Sequence, residues 1–377
     1  MSELKKSPNT VIKNNDNLKN MEERFTYDNL NRLTGIVEGL DTTGVFAYDD
    51  YGRMTMKYIH GNTVFDQTVY NADGRPHALK MARMYSCQPD MAMAYTPFDK
   101  LQRIQTGNTS LSYRYGYEHQ RLRMDETVGN DTVRTKVYVG NCEYVTEVNG
   151  TFGTSYWLTY ISGPLGVFAV RDIRMHPDSK QMYYVHPDHL GSWTTVTGWN
   201  GAVVQDVLFD PWGTAYNLAG ANDPVPATTL LFDRGFTGHE HLMEFGLINM
   251  NGRMYDPVMS SFLSVDNYVQ DPSCTQNFNR YAYCMNNPLK YTDPDGEFFI
   301  IDSWLAGFVC KFIQTGSVKQ SWKEANKRAG NDAKIWGGLF VTDPNKNFWE
   351  RVTELASRLS WQAPQTFVGW FWSINTN

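Results

Sequence analysis

From Arg24 to Gly150 apolar and polar residues alternate with a period of two. Leu111, Tyr113, Tyr115 and Tyr117 fall on one face against Ser112, Arg114 and Gly116. Val133, Thr135, Val137 and Val139 oppose Arg134 and Lys136 in the same way. Such alternation predicts half-buried β-strands. Asp73-Gly74, Gly107-Asn108, Gly129-Asn130 and Asn149-Gly150 separate the runs and predict tight turns. A long antiparallel meander follows, with no helix signal.

A repeat lies over this alternation. Its copies are Tyr27-Asp-Asn-Leu-Asn-Arg-Leu33, Tyr48-Asp-Asp-Tyr-Gly-Arg-Met54, Tyr70-Asn-Ala-Asp-Gly-Arg-Pro76, Tyr95-Thr-Pro-Phe-Asp-Lys-Leu101 and Tyr117-Glu-His-Gln-Arg-Leu122. Their tyrosines stand 21, 22, 25 and 22 residues apart. A period of that size suits one β-hairpin per unit, which buries its apolar face only by stacking on its neighbours.

Residues 151–235 continue as strands with different punctuation. Asp210-Pro-Trp-Gly213 has the residues of a type I turn. Turns grow denser over 236–296 and end on Asp293-Pro-Asp-Gly296. Composition then changes: residues 297–377 hold seven of the eleven tryptophans and no histidine. Asp343-Pro344 reads as a helix start, with Phe348, Val352, Leu355 and Leu359 on one helical face. The expected division is a flexible lead-in over 1–23, hairpin repeats over 24–150, a turn-rich core over 151–296 and a small, mostly α-helical region over 297–377. The fold class is mainly β.

Composition narrows the function. A net charge of −6 and a pI near 5.8 argue against a nucleic-acid surface on the core. Cys87, Cys142, Cys274, Cys284 and Cys310 form no regular spacing, which predicts reduced thiols. Met1 to Asn20 is polar, without the apolar segment of a signal peptide. No apolar stretch has the length of a transmembrane helix. The chain is then either internal, or secreted or surface-displayed by a non-classical route after a cytoplasmic stage, or part of a longer chain.

The order of the motifs resembles the RHS/YD-repeat family of polymorphic toxins, Tc-toxin C components and teneurin shells. The repeats from Tyr27 to Tyr117 match its YD units. His186-Pro-Asp-His-Leu-Gly-Ser192, Asp210-Pro-Trp-Gly213, Phe236-Thr-Gly-His-Glu240 and Gly252-Arg-Met-Tyr-Asp-Pro257 match its core domain. So do Ser261-Phe-Leu-Ser-Val-Asp266, Asn279-Arg-Tyr-Ala-Tyr-Cys-Met-Asn-Asn-Pro288 and Asp293-Pro-Asp-Gly296. The resemblance implies a spiral of hairpins forming part of a cocoon wall, an RHS-core plug and a C-terminal cargo or linker region. It also implies an upstream shell in a longer chain, and an immunity protein or secretion-system adaptor as partner.

The resemblance further implies self-cleavage by an aspartate pair. Carried over, the pair is Asp266 and Asp293, with Arg253, 13 residues before Asp266, as the neighbouring guanidinium. Two carboxyls close enough to share a proton supply one ionised base and one neutral acid. The cut is expected near Glu297-Phe298. Glu297 stands where the family has Leu, Asn267 where it has Pro, and Asp271 competes with Asp266 for the first role. The alternative is that Asp266 and Asp293 only cap turns. No cofactor and no metal are expected: His186, Asp188, His189, His239, Glu240 and His241 lack a cysteine partner at zinc spacing and read as turn and core residues. Repeat tyrosines read as cross-strand packing rather than sugar platforms. Cys310, in an apolar run, reads as a buried or partner-facing thiol. Trp370-Phe371-Trp372 suits a membrane interface, a partner groove or a linker to further cargo. The rivals to a self-cleaving toxin shell are a non-enzymatic surface, cell-contact or carbohydrate-binding protein and an inactive orphan module.

Overall fold

The computed structural model describes residues 9–13, 21–72, 74–85, 91–149, 152–163, 166–175, 178–217, 230–266, 269, 274–297 and 300–301. Two antiparallel meanders with strictly sequential strand order make the wall. The first has seven strands: β1 Asn9–Lys13, β2 Met21–Tyr27, β3 Leu33–Glu38, β4 Asp41–Tyr48, β5 Met54–Ile59, β6 Asn62–Ala72 and β7 Arg75–Met84. The second has twelve: β8 Ala92–Tyr95, β9 Leu101–Thr106, β10 Thr109–Tyr115, β11 Arg121–Val128, β12 Asp131–Val139 and β13 Cys142–Asn149, then β14 Phe152–Gly163, β15 Gly166–Met175, β16 Asp178–Pro187, β17 Trp193–Gly198, β18 Val203–Phe209 and β19 Ala215–Asn217. Mainly β is therefore the fold.

One turn recurs along the wall. Tyr27 pairs with Leu33, Tyr48 with Met54, Tyr95 with Leu101 and Tyr115 with Arg121, each six positions on. Pro187–Trp193 and Phe209–Ala215 pair identically, so two core motifs are further copies of the repeat turn. The fourth loop residue has positive φ every time: Asn31, Gly52, Asp99, His119, Gly191 and Gly213. That explains the Gly/Asn of the signature, since these residues reach the left-handed region most cheaply.

Several boundaries differ from expectation. The fifth repeat opens at Tyr115, not Tyr117; β10 ends there, and Tyr117 is 86% exposed within the turn. The third copy is a different hairpin, closing Ala72 onto Arg75 through two loop residues. β1 lies inside the expected lead-in and pairs with β2, because its backbone completes the edge ladder. Strands continue past 150, where β13 and β14 pair, and the wall runs on to Asn217. The two sheets part between β7 and β8.

Residues 230–297 form a module of short elements. β20 Glu240–Leu242, β21 Leu247–Asn249, β22 Met254–Asp256 and β23 Ser261–Phe262 make a small sheet among single 3-10 turns. Leu242, Phe245, Leu247 and Met254 share a core with Leu101, Ile104, Leu111, Tyr113 and Met124 of the twelve-stranded sheet. Met259 and Leu289 pack with Trp212 on Phe25, Leu33, Ile36, Phe46 and Phe65 of the seven-stranded one. The module thus covers a face of both sheets. β24 Tyr291–Thr292 pairs with β25 Ile300–Ile301, so the region expected to be helical begins as a strand. Its remaining calls for helix, with Cys310, Asp343-Pro344 and Trp370-Phe371-Trp372, lie outside the described residues, as do Asn267, Asp271 and Phe298.

Candidate active site

Arg253 immediately precedes β22 and is buried, and its guanidinium gathers three distant stretches of chain. Nη2 lies 3.1 Å from Asp266 Oδ2 and 3.1 Å from Asp293 Oδ2. Both oxygens are therefore within about 6 Å of each other. Nε donates to the Gly296 carbonyl, and Nη1 donates to the Arg280 carbonyl at 3.0 Å. The charge also sits 3.6 Å from the Phe262 ring centroid, a cation–π contact. The structure thus brings together the three residues that the resemblance singled out. Asp293 pairs with a guanidinium; Asp210 and Asp256 cap their own turns, each accepting two backbone N–H groups.

The Asp293–Glu297 segment is fastened residue by residue. His239 Nε2 meets the Pro294 carbonyl at 3.2 Å, Gly252 N donates to the Asp295 carbonyl at 2.7 Å, and Lys100 Nζ pairs with Glu297 Oε1 at 2.9 Å. Backbones touch here. A Cβ on Gly252 would lie 2.7 Å from the Asp295 carbonyl oxygen, and Gly296, at φ +72°, lies against the Met250 carbonyl. Both glycines are required by that approach.

Protonation follows from burial. Burial pushes the Asp295 carboxyl up to about 8, and the Asp293 charge adds to it against the opposing bond from Glu297 N. A side-chain hydrogen bond with Asp293 acts in the same direction, favouring the protonated form of Asp295. Burial lowers His239 to about 3. Its neutral ring donates from Nε2 to Pro294 and accepts at Nδ1 from the Thr237 hydroxyl, 2.7 Å away. Beside Arg253, Asp266 and Asp293 is a cavity of about 30 Å³, also lined by Asn277, Arg280 and Cys284. That is space for a water molecule, which needs only about 10–15 Å³ of such volume.

Sequence reasoning missed Asp295, Lys100 and the segment-holding role of His239. Only Lys100 left a signal: its turn has Thr96 where Asp28 and Asp49 hold Arg32 and Arg53. The histidines weighed as metal ligands have these hydrogen-bond partners. His186 bonds Thr197, His189 meets the Leu289 carbonyl, and His241 Nε2 accepts from Phe236 N. Glu240 is instead in an ion network with Arg121 at 2.8 Å and Lys136 at 2.6 Å.

The chain is similar to several known proteins. The family model for the teneurin YD-shell matches residues 172–289. Salivary gland surface protein 1 of Aedes aegypti is 29% identical over 263 residues, covering 66% of this chain and 7% of the relative. The tRNA3(Ser)-specific nuclease WapA of Bacillus spizizenii is 28% identical over 200 residues, covering 52% and 8%. The TcdB2-TccC3-Cdc42 crystal structure superposes with a TM-score of 0.57 at 18% identity, over 74% of this chain and 16% of that one. The Photorhabdus luminescens Tc holotoxin pore does so with a TM-score of 0.58 at 17% identity, over 74% and 15%. At such identities the structural likeness is one of fold. The chain spans less than a tenth of these curated relatives' length. Wall and module together have the fold of a YD shell. The chain carries a teneurin YD-shell match over residues 172–289, is similar in sequence to the WapA nucleases and shares the fold of the TccC3 shell.

Proposed function

We propose that this chain is the closing end of an RHS shell, in which residues 230–297 plug the wall and cut the chain that follows. The observation carrying this is Arg253 Nη2 holding Asp266 and Asp293 while Nε holds Gly296. Asp266 serves as the ionised base for a water in the adjoining cavity. Asp293 belongs to the proton-holding side, through its bond to Asp295. Hydrolysis by such a group needs no cofactor. Encapsulation, release of a toxic cargo, export and an immunity or adaptor partner belong to the same proposal.

Purified full-length protein run on a denaturing gel should split into two fragments. Asp266→Asn and Asp293→Asn should each leave the 43.2 kDa chain whole. A cut that survives both substitutions would exclude the aspartate pair. Because Asp295 holds its proton up to about pH 8, cutting should persist at neutral pH and fade above that value. A rate still rising at pH 9 would contradict it. Similarity to a salivary gland surface protein favours a second reading, an uncut shell used in surface contact. An intact chain that binds cells or glycans equally well with both substitutions would favour it.

A further inference from the structure

We propose that Lys57 Nζ and the Asp210 carboxyl condense to an amide, a covalent staple between the two sheets, with Asp256 relaying the protons. Nothing in this depends on the cleavage proposed above, since all three residues lie on the same side of that cut.

The reacting groups are adjacent and dry. Lys57, on β5 of the seven-stranded sheet, places Nζ 3.3 Å from Oδ2 of Asp210, which follows β18 of the twelve-stranded one. The lysine side chain is 1% exposed and that of the aspartate 0%. Phe46 and Phe65, both buried, stand opposite Lys57 on the neighbouring strands, and Trp212 packs on Phe46 with ring centroids 5.7 Å apart. Two charges held in such a place are costly, and an amide carries none.

The two oxygens of Asp210 have different surroundings. Oδ1 accepts the N–H groups of Trp212 and Thr214, both at 2.8 Å. Those donors polarise the carbonyl and suit the oxyanion of a tetrahedral intermediate. Oδ2 faces the lysine in an ion pair without a hydrogen bond. The earlier repeat turns differ at this point. Asp28 and Asp49 take the same two backbone donors on Oδ1, but their Oδ2 pairs at 2.6 Å with the arginine four positions on, Arg32 or Arg53. In the Asp210 turn that place is Thr214, and the cation comes from the other sheet. It is a lysine, whose ammonium can give up a proton; a guanidinium cannot.

Asp256, at the end of β22, lies beside the pair. Lys57 Nζ donates to the Pro257 carbonyl at 2.8 Å and to Ser260 Oγ at 3.2 Å, so it rests on the turn that Asp256 caps. Burial lowers Lys57 from its ordinary value and raises Asp256. Both shifts favour the neutral amine and the neutral acid that the reaction uses.

The step balances. A proton passes from the ammonium to Asp210, leaving an amine and a carboxyl. The nitrogen lone pair adds to Cγ, and the π pair moves onto Oδ1, facing the Trp212 and Thr214 N–H groups. Asp256 gives its proton to the Oδ2 hydroxyl and takes one from nitrogen. The pair on Oδ1 returns to the carbonyl, the C–O bond breaks and water leaves. One C–N bond has formed and Asp256 ends as it began. The two sheets share no backbone ladder among the described residues, so the amide closes a covalent loop across them.

The test is the mass of the purified full chain in denaturant, followed by tryptic mapping. The chain, or its larger fragment where it has cut, should weigh one water less than its sequence, and a branched peptide should join Lys57 to Asp210. Lys57→Arg and Asp210→Ala should each restore the full mass. In freshly made chain followed over time, Asp256→Asn should slow the loss of water by about 100-fold, as expected for a missing general acid. Mapping of the wild-type chain reads the bond without any variant, and thermal melts report the folding of each variant separately. A wild-type chain that keeps its full mass after prolonged incubation would overturn the proposal and leave a buried ion pair. So would a loss of water that survives Lys57→Arg, the mark of a succinimide at Asp73-Gly74 or Asp295-Gly296. Wild-type rates in Asp256→Asn would remove its relay role.

Discussion

Arg253 satisfies four acceptors with the five N–H donors of one guanidinium: two carboxylates and two backbone carbonyls. Lysine, with its compact charge, could not reproduce that planar fork. The histidines nearby set a pH dependence. Burial lowers His239 to about 3 and His241 to about 4, from the ordinary 6.5. Below pH 6.5 the unfolded chain binds two protons that the folded chain refuses. Their contribution to stability is therefore present above that pH and lost as pH falls. Asp295, raised to about 8, works oppositely: the folded chain keeps its proton between about pH 4 and 8. The net difference among these three is about one proton, roughly 1.4 kcal/mol per pH unit. Urea midpoints should drop from pH 6.5 to 4, and more gently in His239→Gln. An unchanged slope in that variant would count against a neutral buried ring.

The repeat turn is a local device. Asp49 Oδ1 accepts the N–H groups of Tyr51 and Arg53, each at 3.0 Å, while Oδ2 takes the Arg53 guanidinium. That guanidinium then lies over Tyr70 and donates to the Pro76 carbonyl at 2.7 Å. The Tyr70 hydroxyl returns a bond to the Met54 carbonyl, as Tyr48 does to Leu33 and Tyr115 to Leu101. Tyrosine, aspartate and arginine thus staple the first hairpins to their neighbours. Asp49→Ala should cost about 1–3 kcal/mol, because two N–H groups and a guanidinium lose their acceptor. A change below 0.5 kcal/mol in urea unfolding would mean the turn holds without it. These contacts span few residues, so the signature could be read from the chain. The fifth copy was misphased because Tyr115 and Tyr117 are both tyrosines and Gly116 replaces the aspartate; pairing with Arg121 decides between them.

At the scale of the molecule, buried polar groups bind module to wall. Asn279 and Asn286 both donate to the Gly52 carbonyl at 2.9 Å, and Asn287 donates to Asn31 at 2.8 Å. The asparagines of one core motif therefore grip the left-handed residues of the first two repeat turns. Lys57, 1% exposed, lies 3.3 Å from Asp210 Oδ2 and donates to the Pro257 carbonyl at 2.8 Å. Lys57→Met should cost about 3–5 kcal/mol, since it leaves the Asp210 carboxylate buried without its charge partner. Restoring stability with Asp210→Asn in the double variant would confirm the source. A loss under 1 kcal/mol would show that water reaches the site.

Alternation, turn residues and the repeat period by themselves determined the strands, the hairpins and the β class, since each depends on neighbours within a few positions. Arg253, Asp266 and Asp293 could be named only through a family resemblance, because nothing in their spacing requires them to meet. Where the sheets part, how the module lies across them, and which residues meet at Arg253 were decided by the tertiary structure alone. The reason is range. Lys100 and Glu297, or Lys57 and Pro257, are about 200 residues apart, and side chains at such separation meet only once burial has placed both in one core.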